Sequence, residues 1–502
     1  MSSSSAGHKS KGFVGIHIGA GKHSKKRYPL YSKILAMACK QAINLIQNGG
    51  SALKAAALAT ALLEDCKLFN AGSGSNLTWE GGVECDAGIM DGKTGLSGAV
   101  GAVTRVQNPI HVAYRLCQKQ SGLDNGLIRP CMMVGPGAFD YARQTGASHI
   151  FETEEEMVSP YARRDYVKTK EKVRILQQQE DENMEEEEVL AKTKVKSVQK
   201  ESKSSPKKNP VDANSSLSNI VLPVSIASSS CTSNVHVKIE PTRSNSKVRK
   251  RKLDTNDEDT KEINDDMGKS AKSNEEVRED INDQMKNSAE ERNEEERGEK
   301  AGGGEEEEEE EEQRLDTVGV VCVDLEGNVA SSCSSGGIIL KRSGRIGQAC
   351  IRGSGWWAQN STTNSYGVAI STTGPGEYLI RTSLAREVAR VFGNKVVSGP
   401  EDDDEEESVN DGNSVLLEKC MREEFLGSPF LRDVAFPKQA GLILLLISPH
   451  DNSPVEFLWA FSSHSFCVGY MSTQDKQAHT RMSILPESCV PGTAVNVESV
   501  YC

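Results

Sequence analysis

Several features that define large classes of protein are scarce in this chain of 502 residues. Hydrophobic residues make up only 36% of it against 26% charged residues, a balance more polar than one large globule requires. We therefore expect part of the chain not to fold. Its thirteen cysteines include no CxxC pair and no regular spacing, so we expect reduced thiols in the core rather than a disulfide framework.

Basic charge and long apolar segments are also lacking. The net charge is -13, whereas a protein that binds a nucleic acid duplex needs a basic excess to displace counterions from phosphate. The longest apolar run, Gly441 to Ile447, is too short to span a bilayer, and the first residues lack an apolar stretch of signal-peptide length. We expect a soluble protein of the nucleus and cytoplasm with neither nucleic acid nor membrane as a direct partner.

Globular sequence is present at both ends of the chain. Residues 1–165 combine a strand-like run, FVGIHIGAG, with the helical pattern YSKILAMACKQAINLIQ and a glycine-rich loop, NAGSGSNLTWEGG. Residues 317–502 open with two β-like runs around the turn sequence Glu-Gly-Asn at 326–328, and they contain an acidic insert near 398–414. Neither half supplies an obvious complete sheet sandwich, which predicts that the two halves build one α/β domain together.

A charged segment at residues 166–316 separates these halves and ends in eight consecutive glutamates, Glu305 to Glu312. Such a composition cannot bury enough apolar area to offset the entropy of ordering, so we expect a disordered bridge in which YVKTKEKVRILQQQ is at most transiently helical. The glutamate run is a solvating tail in this interpretation, not a metal site. The basic cluster Lys247 to Lys252 resembles a nuclear import signal, which makes import receptors expected partners, although lysine-rich composition alone could produce it.

The junction Asp316-Thr317 is where the charged bridge stops and a strand pattern begins. A threonine hydroxyl inside a folded chain is a poor nucleophile because it needs an adjacent base. Cleavage of the bond before Thr317 would place a new α-amino group, with a pKa of about 8, on the same residue. An isolated Asp-Thr pair is more simply explained as the start of a strand, so the interpretation depends on the motifs that follow.

Four motifs in a fixed order follow this pattern: DTVG at 316–319, SSGG at 334–337, GRIGQ at 344–348 and TTGPGE at 372–377. Together with HIGAG, FNAGSGSNL and ECDAGIMDG in the first half, they resemble the type 2 asparaginase family of N-terminal-nucleophile hydrolases. The family includes plant-type asparaginases, glycosylasparaginase and the taspases, or threonine aspartases. The resemblance covers about 150 residues before the bridge and nearly everything after it. It implies a four-layer αββα sandwich with two mainly antiparallel sheets.

The resemblance also implies catalytic roles. Thr317 would attack an aspartyl amide carbonyl and form an acyl-enzyme that water releases. Ser335 would orient the new amine or the Thr317 hydroxyl; without Thr317 it would be read as a small polar strand residue. Thr373 and the backbone N–H of Gly374 would form the oxyanion hole, where one preorganised donor is worth about 3 kcal/mol of barrier.

Three further residues would bind the substrate. Arg345 would hold a substrate carboxylate bidentately, although a surface arginine is the simpler alternative. Asn70 and the glycines after it would bring backbone close to the nucleophile, or merely form a tight turn. Gln348 stands where asparaginases of the family carry the aspartate that binds the free α-amino group of a small substrate. No metal or organic cofactor is needed for this chemistry.

Gln348 and other features favour the taspase branch of the family, whose members are endopeptidases. A neutral glutamine cannot pair with a free amine, and an internal peptide offers none. GRxGQ, SSGG, SPFL at 428–431 and CVGYMS at 467–472 all resemble this branch, and the junction QRLD at 313–316 has aspartate before the cut. The sequence therefore predicts a precursor that cleaves its own Asp316-Thr317 bond and then cuts proteins, among them nuclear regulatory proteins, after aspartate.

Processing would give an α subunit, residues 1–316, and a β subunit, residues 317–502, which we expect to form an αβ heterodimer, with an αβ/αβ dimer as the larger assembly. Two alternatives stay open. One is a small-molecule asparaginase or isoaspartyl peptidase on the same fold, which an amine-binding acid near Arg345 would favour and Gln348 opposes. The other is a non-catalytic nuclear interaction protein, which the intact motif residues oppose.

Overall fold

The computed structural model of the chain describes residues 11–124, 126–201, 317–395, 412–449 and 454–502. The chain divides into two units by its internal packing, residues 1–172 with 257–502, and residues 173–256. The first unit contains all the strands described below. Of the second unit, the structure describes one helical stretch, which ends at residue 201.

The strands of the described residues are β1 (Phe13–Gly21), β2 (Cys85–Asp91), β3 (Ser97–Val103), β4 (Leu123–Asp124), β5 (Leu127–Ile128), β6 (Met132–Val134), β7 (Val318–Val323), β8 (Val329–Ser335), β9 (Trp356–Gln359), β10 (Gly367–Thr373), β11 (Gly441–Ile447), β12 (Glu456–Phe461), β13 (Ser465–Ser472), β14 (His479–Ile484) and β15 (Asn496–Tyr501). The α-helices of the same residues are α1 (Tyr28–Gln47), α2 (Ala52–Glu64), α3 (Pro109–Lys119), α4 (Gly135–Thr145), α5 (Pro160–Glu201), α6 (Gly376–Thr382), α7 (Leu384–Gly393) and α8 (Asn413–Cys420).

Strands from both halves of the chain share one large sheet. Its order is β14-β13-β1-β7-β8-β2-β3-β6, and β1 pairs antiparallel with β13 on one side and with β7 on the other. A second sheet has the order β15-β12-β11-β10-β9, and β4 with β5 forms a separate small pair. Strand β1 from the first half of the chain thus lies between two strands from the second half.

Three hydrophobic clusters separate four layers. The first packs α1, α2 and α3 on the outer face of the large sheet, the second fills the space between the sheets, and the third packs α7 and α8 against the smaller sheet. Every residue of β1 is buried, as expected for a strand covered on both faces. This is the αββα arrangement that the resemblance implies.

The predicted hairpin joins β7 and β8 antiparallel. Asp324 stabilises its turn, because Oδ1 accepts hydrogen bonds from the backbone N–H groups of Glu326 at 3.1 Å and Asn328 at 2.9 Å. The hairpin fixes the start of β7 beside the end of β8. It thereby brings the two ends that carry Thr317 and Ser335 together.

Helix α5 differs from the prediction for the bridge. The bridge was expected to be disordered from residue 166, yet α5 continues from Pro160 to Glu201. Its sequence is rich in Lys, Glu, Gln and Arg, which favour helix without needing to bury a face, so the argument from missing apolar area did not exclude it. The rest of the predicted bridge, with Glu305 to Glu312, and most of the insert near 398–414 lie outside the described residues.

The cysteines in the described part of the chain are free thiols, and most are buried in the core. Burial raises the pKa of Cys333 to about 12, which makes this thiol an inert packing group. Within the described ranges, none of the helices is both long and apolar enough to cross a membrane.

Candidate active site

Thr317 and Ser335 meet at one end of the large sheet. Thr317 immediately precedes β7, Ser335 ends β8, and Val318 pairs with Ser334 in the antiparallel ladder. The Thr317 hydroxyl donates to Ser335 Oγ over 3.1 Å, and the two residues are only 3% and 4% exposed. The backbone N–H of Gly337 also donates to Ser335 Oγ at 3.0 Å, which holds this acceptor in place. The structure therefore brings these two predicted residues into direct contact.

Strand β10 of the second sheet brings Thr373 to the same end. The Ser371 hydroxyl donates to the Ser332 carbonyl at 3.1 Å, so β8 and β10 face each other across the two sheets. Both strands end a few residues later, β8 at Ser335 and β10 at Thr373. Thr373 is fully buried, and within the described residues its Oγ1 has no hydrogen-bond partner. A buried hydroxyl without a partner is costly, and it is suited to donate to an oxygen atom that arrives with a substrate.

Gly374 follows with φ +144°, in the region that favours glycine. A Cβ atom here would stand 2.9 Å from the Gln439 carbonyl oxygen, so the turn leaves no room for a side chain. The predicted Thr373-Gly374 step therefore requires its glycine for geometric reasons alone.

Gln348 contacts Thr317 directly. It begins the 3-10 turn Gln348–Cys350, is 3% exposed, and donates from Nε2 to Thr317 Oγ1 at 3.3 Å. The Thr317 hydroxyl thus lies between an acceptor, Ser335, and a donor, Gln348. The sequence predicted only substrate binding for Gln348, so this contact with Thr317 is an addition.

Arg345 lies next to this turn and carries an ion pair. Its Nε and Nη2 donate to the two carboxylate oxygens of Glu377 at 2.7 and 2.5 Å. Glu377 belongs to the first turn of α6, directly after the Thr373-Gly374 step. Burial pushes the pKa of Glu377 up, but the hydrogen bonds and charge of Arg345 outweigh it, so the pKa lies below its ordinary value and the group is ionised at neutral pH.

Asn70 shapes the turn after Ser335. The side-chain Nδ2 of Asn70 donates to the Gly337 carbonyl at 2.7 Å, and the backbone carbonyl of Asn70 accepts from the Gly336 N–H at 2.9 Å. A Cβ atom on Gly336 would stand 2.4 Å from Asn70 Oδ1, so only glycine fits. No hydrogen bond in the described part of the chain joins Asn70 to Thr317. Its contacts support the turn and leave its predicted role in substrate binding untested.

Sequence reasoning missed His17, a polar residue within HIGAG on β1. His17 is fully buried, its Nε2 lies 3.0 Å from Ser371 Oγ, and it pairs with Gly319 across the β1–β7 ladder. A Cβ atom on Gly319 would stand 1.9 Å from Ser371 Oγ, so glycine makes room for the pair. Burial lowers the pKa of His17 to about 3, against the opposing effect of a hydrogen bond to the Thr317 backbone, so the ring is neutral. The signal was a histidine inside an otherwise apolar strand.

Asp86, within ECDAGIMDG, was also missed. Its carboxylate is fully buried and accepts from the backbone N–H groups of Ala102 at 2.8 Å and Gly347 at 2.7 Å. Burial raises its pKa, and the positive charge of Lys341 is the largest opposing effect. Asp86 therefore fixes the backbone between Arg345 and Gln348. Asp316, the residue before the predicted cut, lies outside the described residues.

No group of three or more histidine, cysteine or acidic side chains suited to a metal ion occurs in the described parts of the chain. The arrangement does offer the buried Thr317 hydroxyl, hydroxyl and amide contacts to it, and a nearby guanidinium. Such a set on an αββα sandwich defines the class of N-terminal-nucleophile hydrolases, in which the processed residue itself performs the attack.

The sequence pattern of the asparaginase family, type 2, matches residues 11–203 and 206–398, so the chain belongs to this family. It is 37% identical over 150 residues to an isoaspartyl peptidase/L-asparaginase of Danio rerio, a match covering 30% of this chain and 45% of the relative. It is 44% identical over 107 residues to a plant-type L-asparaginase of Pyrococcus furiosus, covering 21% and 32%. An isoaspartyl peptidase of Escherichia coli is 35% identical over 145 residues, covering 28% and 43%. The chain thus spans less than half the length of each of these relatives.

Proposed function

We propose that this protein is an autoprocessing threonine endopeptidase of the taspase type. It cleaves its own Asp316-Thr317 bond and then cuts other proteins after aspartate. In the first step Thr317 Oγ adds to the Asp316 carbonyl carbon, the C–N bond breaks, and the nitrogen takes a proton to become the α-amine of Thr317. Water then hydrolyses the ester, which releases the Asp316 carboxylate and restores the hydroxyl.

The observation that carries this proposal is the hydrogen-bonded position of Thr317 Oγ1 between Ser335 and Gln348, at the start of a buried strand. Ser335 Oγ accepts a hydrogen bond from the Thr317 hydroxyl. The lone pairs of Thr317 Oγ1 therefore point away from Ser335. The buried Thr373 hydroxyl is available as a donor to the oxyanion that develops on the attacked carbonyl. Both features support a role for Thr317 beyond starting β7.

Gln348 supports a protein substrate. Its side chain is neutral and bonds to Thr317, so it offers no charge to a free α-amine. The nearby Asp86 carboxylate is fully buried and already accepts from two backbone N–H groups, which favours a structural role over amine binding. An internal aspartyl residue needs only its carboxylate bound, which the guanidinium of Arg345 is suited to do.

A second candidate is an isoaspartyl peptidase or L-asparaginase that acts on small molecules. The relatives, which are isoaspartyl peptidases and L-asparaginases, favour it, and so does Glu377, an acid that bonds directly to Arg345. Glu377 could accept a substrate amine if its bond to Arg345 opened. The two candidates share the nucleophile and differ in whether a free amine beside the aspartyl group is required.

The first test is the intact mass of the purified full chain, beside a Thr317→Ala control, after prolonged incubation. We expect two fragments divided at Asp316-Thr317 in the wild type and one uncut chain in the control. The processed protein is then given an internal aspartyl peptide with a blocked N-terminus, a β-aspartyl dipeptide and L-asparagine. Turnover of the blocked peptide supports the endopeptidase, and turnover of the other two alone supports the second candidate. A chain that stays intact and inert would instead support a non-catalytic interaction protein.

Further proposals concern location and partners. We propose that the α and β subunits stay together as an αβ heterodimer, in pairs as an αβ/αβ dimer, and act on nuclear regulatory proteins. The basic cluster Lys247 to Lys252, which lies outside the described residues, is proposed to bind import receptors and to distribute the protein between nucleus and cytoplasm.

A further inference from the structure

Arg345 is paired with a carboxylate of its own chain. The bond to Glu377 is bidentate, with Nε and Nη2 as donors, and the two side chains are 14% and 51% exposed. Two parallel charge-assisted hydrogen bonds fix the plane of a guanidinium as well as its position. Glu377 therefore holds Arg345 from the solvent side of the site.

The pairing uses only one of the two forks of the guanidinium. The other fork, Nη1 with the second hydrogen of Nη2, has no hydrogen bond from Nη1 within the described residues. Nη1 lies 2.9 Å and 3.0 Å from where Cβ atoms on Gly337 and Gly347 would stand, and Nη2 lies 2.9 Å from that point on Gly376. The same point on Gly376 is 2.9 Å from Gln348 Oε1. The unused fork thus faces glycine backbone, where no side chain occupies the space, and it lies on the side of Gln348, which bonds to Thr317.

Two other charged groups near Arg345, Asp86 and Lys341, form hydrogen bonds to the backbone. Asp86 accepts from two backbone N–H groups, and the buried Lys341 donates to the Glu84 carbonyl at 2.7 Å. Neither contact orients the guanidinium by a direct hydrogen bond. Among the described residues, Glu377 is the carboxylate that bonds to Arg345 through both oxygens.

We infer that Glu377 is a positioning residue for substrate recognition: it holds the Nε–Nη2 side of Arg345 so that the Nη1–Nη2 fork is presented to the carboxylate of the substrate aspartyl residue. The inference rests on the proposed function, in which Arg345 binds that carboxylate. It assigns Glu377 an effect on affinity for acidic substrates and little effect on the chemical step. A rival arrangement, in which Glu377 must leave before the substrate carboxylate can bind, has the opposite sign.

The kinetic test compares wild type, Glu377→Gln and Glu377→Asp on an internal aspartyl peptide with a blocked N-terminus. Because this peptide has no free amine, an effect cannot come from amine binding by Glu377. We expect Glu377→Gln to raise KM about tenfold with kcat within about twofold, since one charge-assisted contact is misaligned and the nucleophile is untouched. Glu377→Asp keeps the charge and should recover part of the loss. The matched control is Glu387→Gln, which removes the surface pair with Arg390 and should change neither constant.

A lower KM in Glu377→Gln would mean that Glu377 competes with the substrate, and an unchanged KM would mean that the ion pair is only structural; either result overturns the inference.

A binding measurement distinguishes failure of this inference from failure of the proposed function. Succinate is titrated calorimetrically into full-length protein carrying Asp316→Ala and Thr317→Ala, with and without Glu377→Gln. We expect about tenfold weaker binding in the triple variant. No binding to the parent, or equal or tighter binding to the triple variant, overturns the inference whether or not the wild type cleaves peptides.

Discussion

At the scale of single residues, two adjacent threonines at the end of β10 have opposite surroundings. Both are fully buried, but Thr372 donates its hydroxyl to the Ser354 carbonyl at 2.7 Å, whereas Thr373 Oγ1 lacks a partner in the described part of the chain. A satisfied hydroxyl contributes to stability, and a buried unsatisfied one does not. The two hydroxyls therefore differ in what they can do: that of Thr372 is used within the fold, and that of Thr373 is available for the proposed oxyanion contact.

Thr373→Val tests the proposed oxyanion contact. The change keeps the shape and removes the hydroxyl, so we expect an unchanged or slightly higher free energy of unfolding and a fall in kcat of about 100- to 1000-fold. Thr372→Val is the matched control and should lose about 1 to 3 kcal/mol of stability, because it leaves a carbonyl without its donor. Equilibrium denaturation and peptide hydrolysis measure the two effects. Equal losses of rate in both variants would contradict a specific role for Thr373.

Glu64, at the end of α2, gives the fold a pH dependence. It is fully buried, and its Oε1 accepts from Ser334 Oγ at 2.6 Å and from the backbone of Ile110 at 3.1 Å. Burial raises its pKa from 4.5 to about 8; these hydrogen bonds oppose the rise, and the charge of Asp65 adds to it. The raised pKa means that the folded state binds the proton more tightly than the unfolded state. Its stabilising effect is therefore complete below 4.5 and is lost as the pH rises through 8.

Glu64→Gln should remove this dependence. In an uncleavable Thr317→Ala background, we expect the free energy of unfolding to fall between about pH 5 and pH 8 by up to about 1.4 kcal/mol per pH unit. With Glu64→Gln added, this part of the slope should disappear. Denaturant titrations at several pH values measure it, with Glu387→Gln as a surface control that keeps the original slope. A slope that survives the Glu64 substitution would assign it to other groups.

Single residues could be predicted from the sequence where a short motif carries the chemistry. Thr317 and Ser335 follow from DTVG and SSGG, and their contact is present at 3.1 Å. Glu377 could not be found in this way, although it lies inside the quoted TTGPGE. Its partner, Arg345, is distant in sequence, and their contact depends on the turn that ends β10. A motif specifies residue types but not which side chains from separate loops meet.

At the scale of elements, α5 shows how a charged helix can begin on a folded surface. Lys170 Nζ donates to the Trp79 carbonyl at 3.1 Å and to Tyr166 Oη at 2.6 Å, and it lies 5.2 Å from the centre of the Trp79 ring. The Tyr166 hydroxyl donates to the same carbonyl at 3.1 Å. These contacts attach the first turns of α5 to the loop after Asn76.

Lys170→Ala should loosen this attachment without unfolding the protein. The contacts are partly exposed, so we expect a cost of no more than about 1 kcal/mol and faster amide hydrogen exchange over residues 160–172. Arg163→Ala, at an exposed position of the same helix, is the control and should leave the exchange unchanged. Unaltered exchange in Lys170→Ala would show that other contacts hold the helix.

Elements with local signals were predictable, and α5 was not. The β7–β8 hairpin follows from alternating apolar residues around a Glu-Gly-Asn turn, and the cap of α2 follows from Ser51, whose hydroxyl accepts from Lys54 N–H at 3.3 Å. Burial was the criterion applied to residues 166–316, and it fails for a helix stabilised by intrinsic propensity. Composition alone therefore did not predict α5.

At the scale of the whole molecule, the four layers follow from the family resemblance, whereas the strand order could not be predicted. Sequence neighbours such as β7 and β8 pair as expected. The placement of β1 between β13 and β7 joins residues more than 300 positions apart. Such pairing depends on how helices and both sheets fill three cores at once, which no local pattern records.

The alternation of halves within the large sheet determines what a cut at Asp316-Thr317 would leave behind. Backbone ladders cross between residues before and after the cut at β13/β1, β1/β7 and β8/β2, so the large sheet is complete only while both pieces stay together. The two fragments of one chain would therefore stay associated after cleavage, and fragments would not exchange between molecules. Once unfolded, the two pieces would have to find each other by diffusion. A protein that folds once as a single chain would thereafter depend on concentration to fold again.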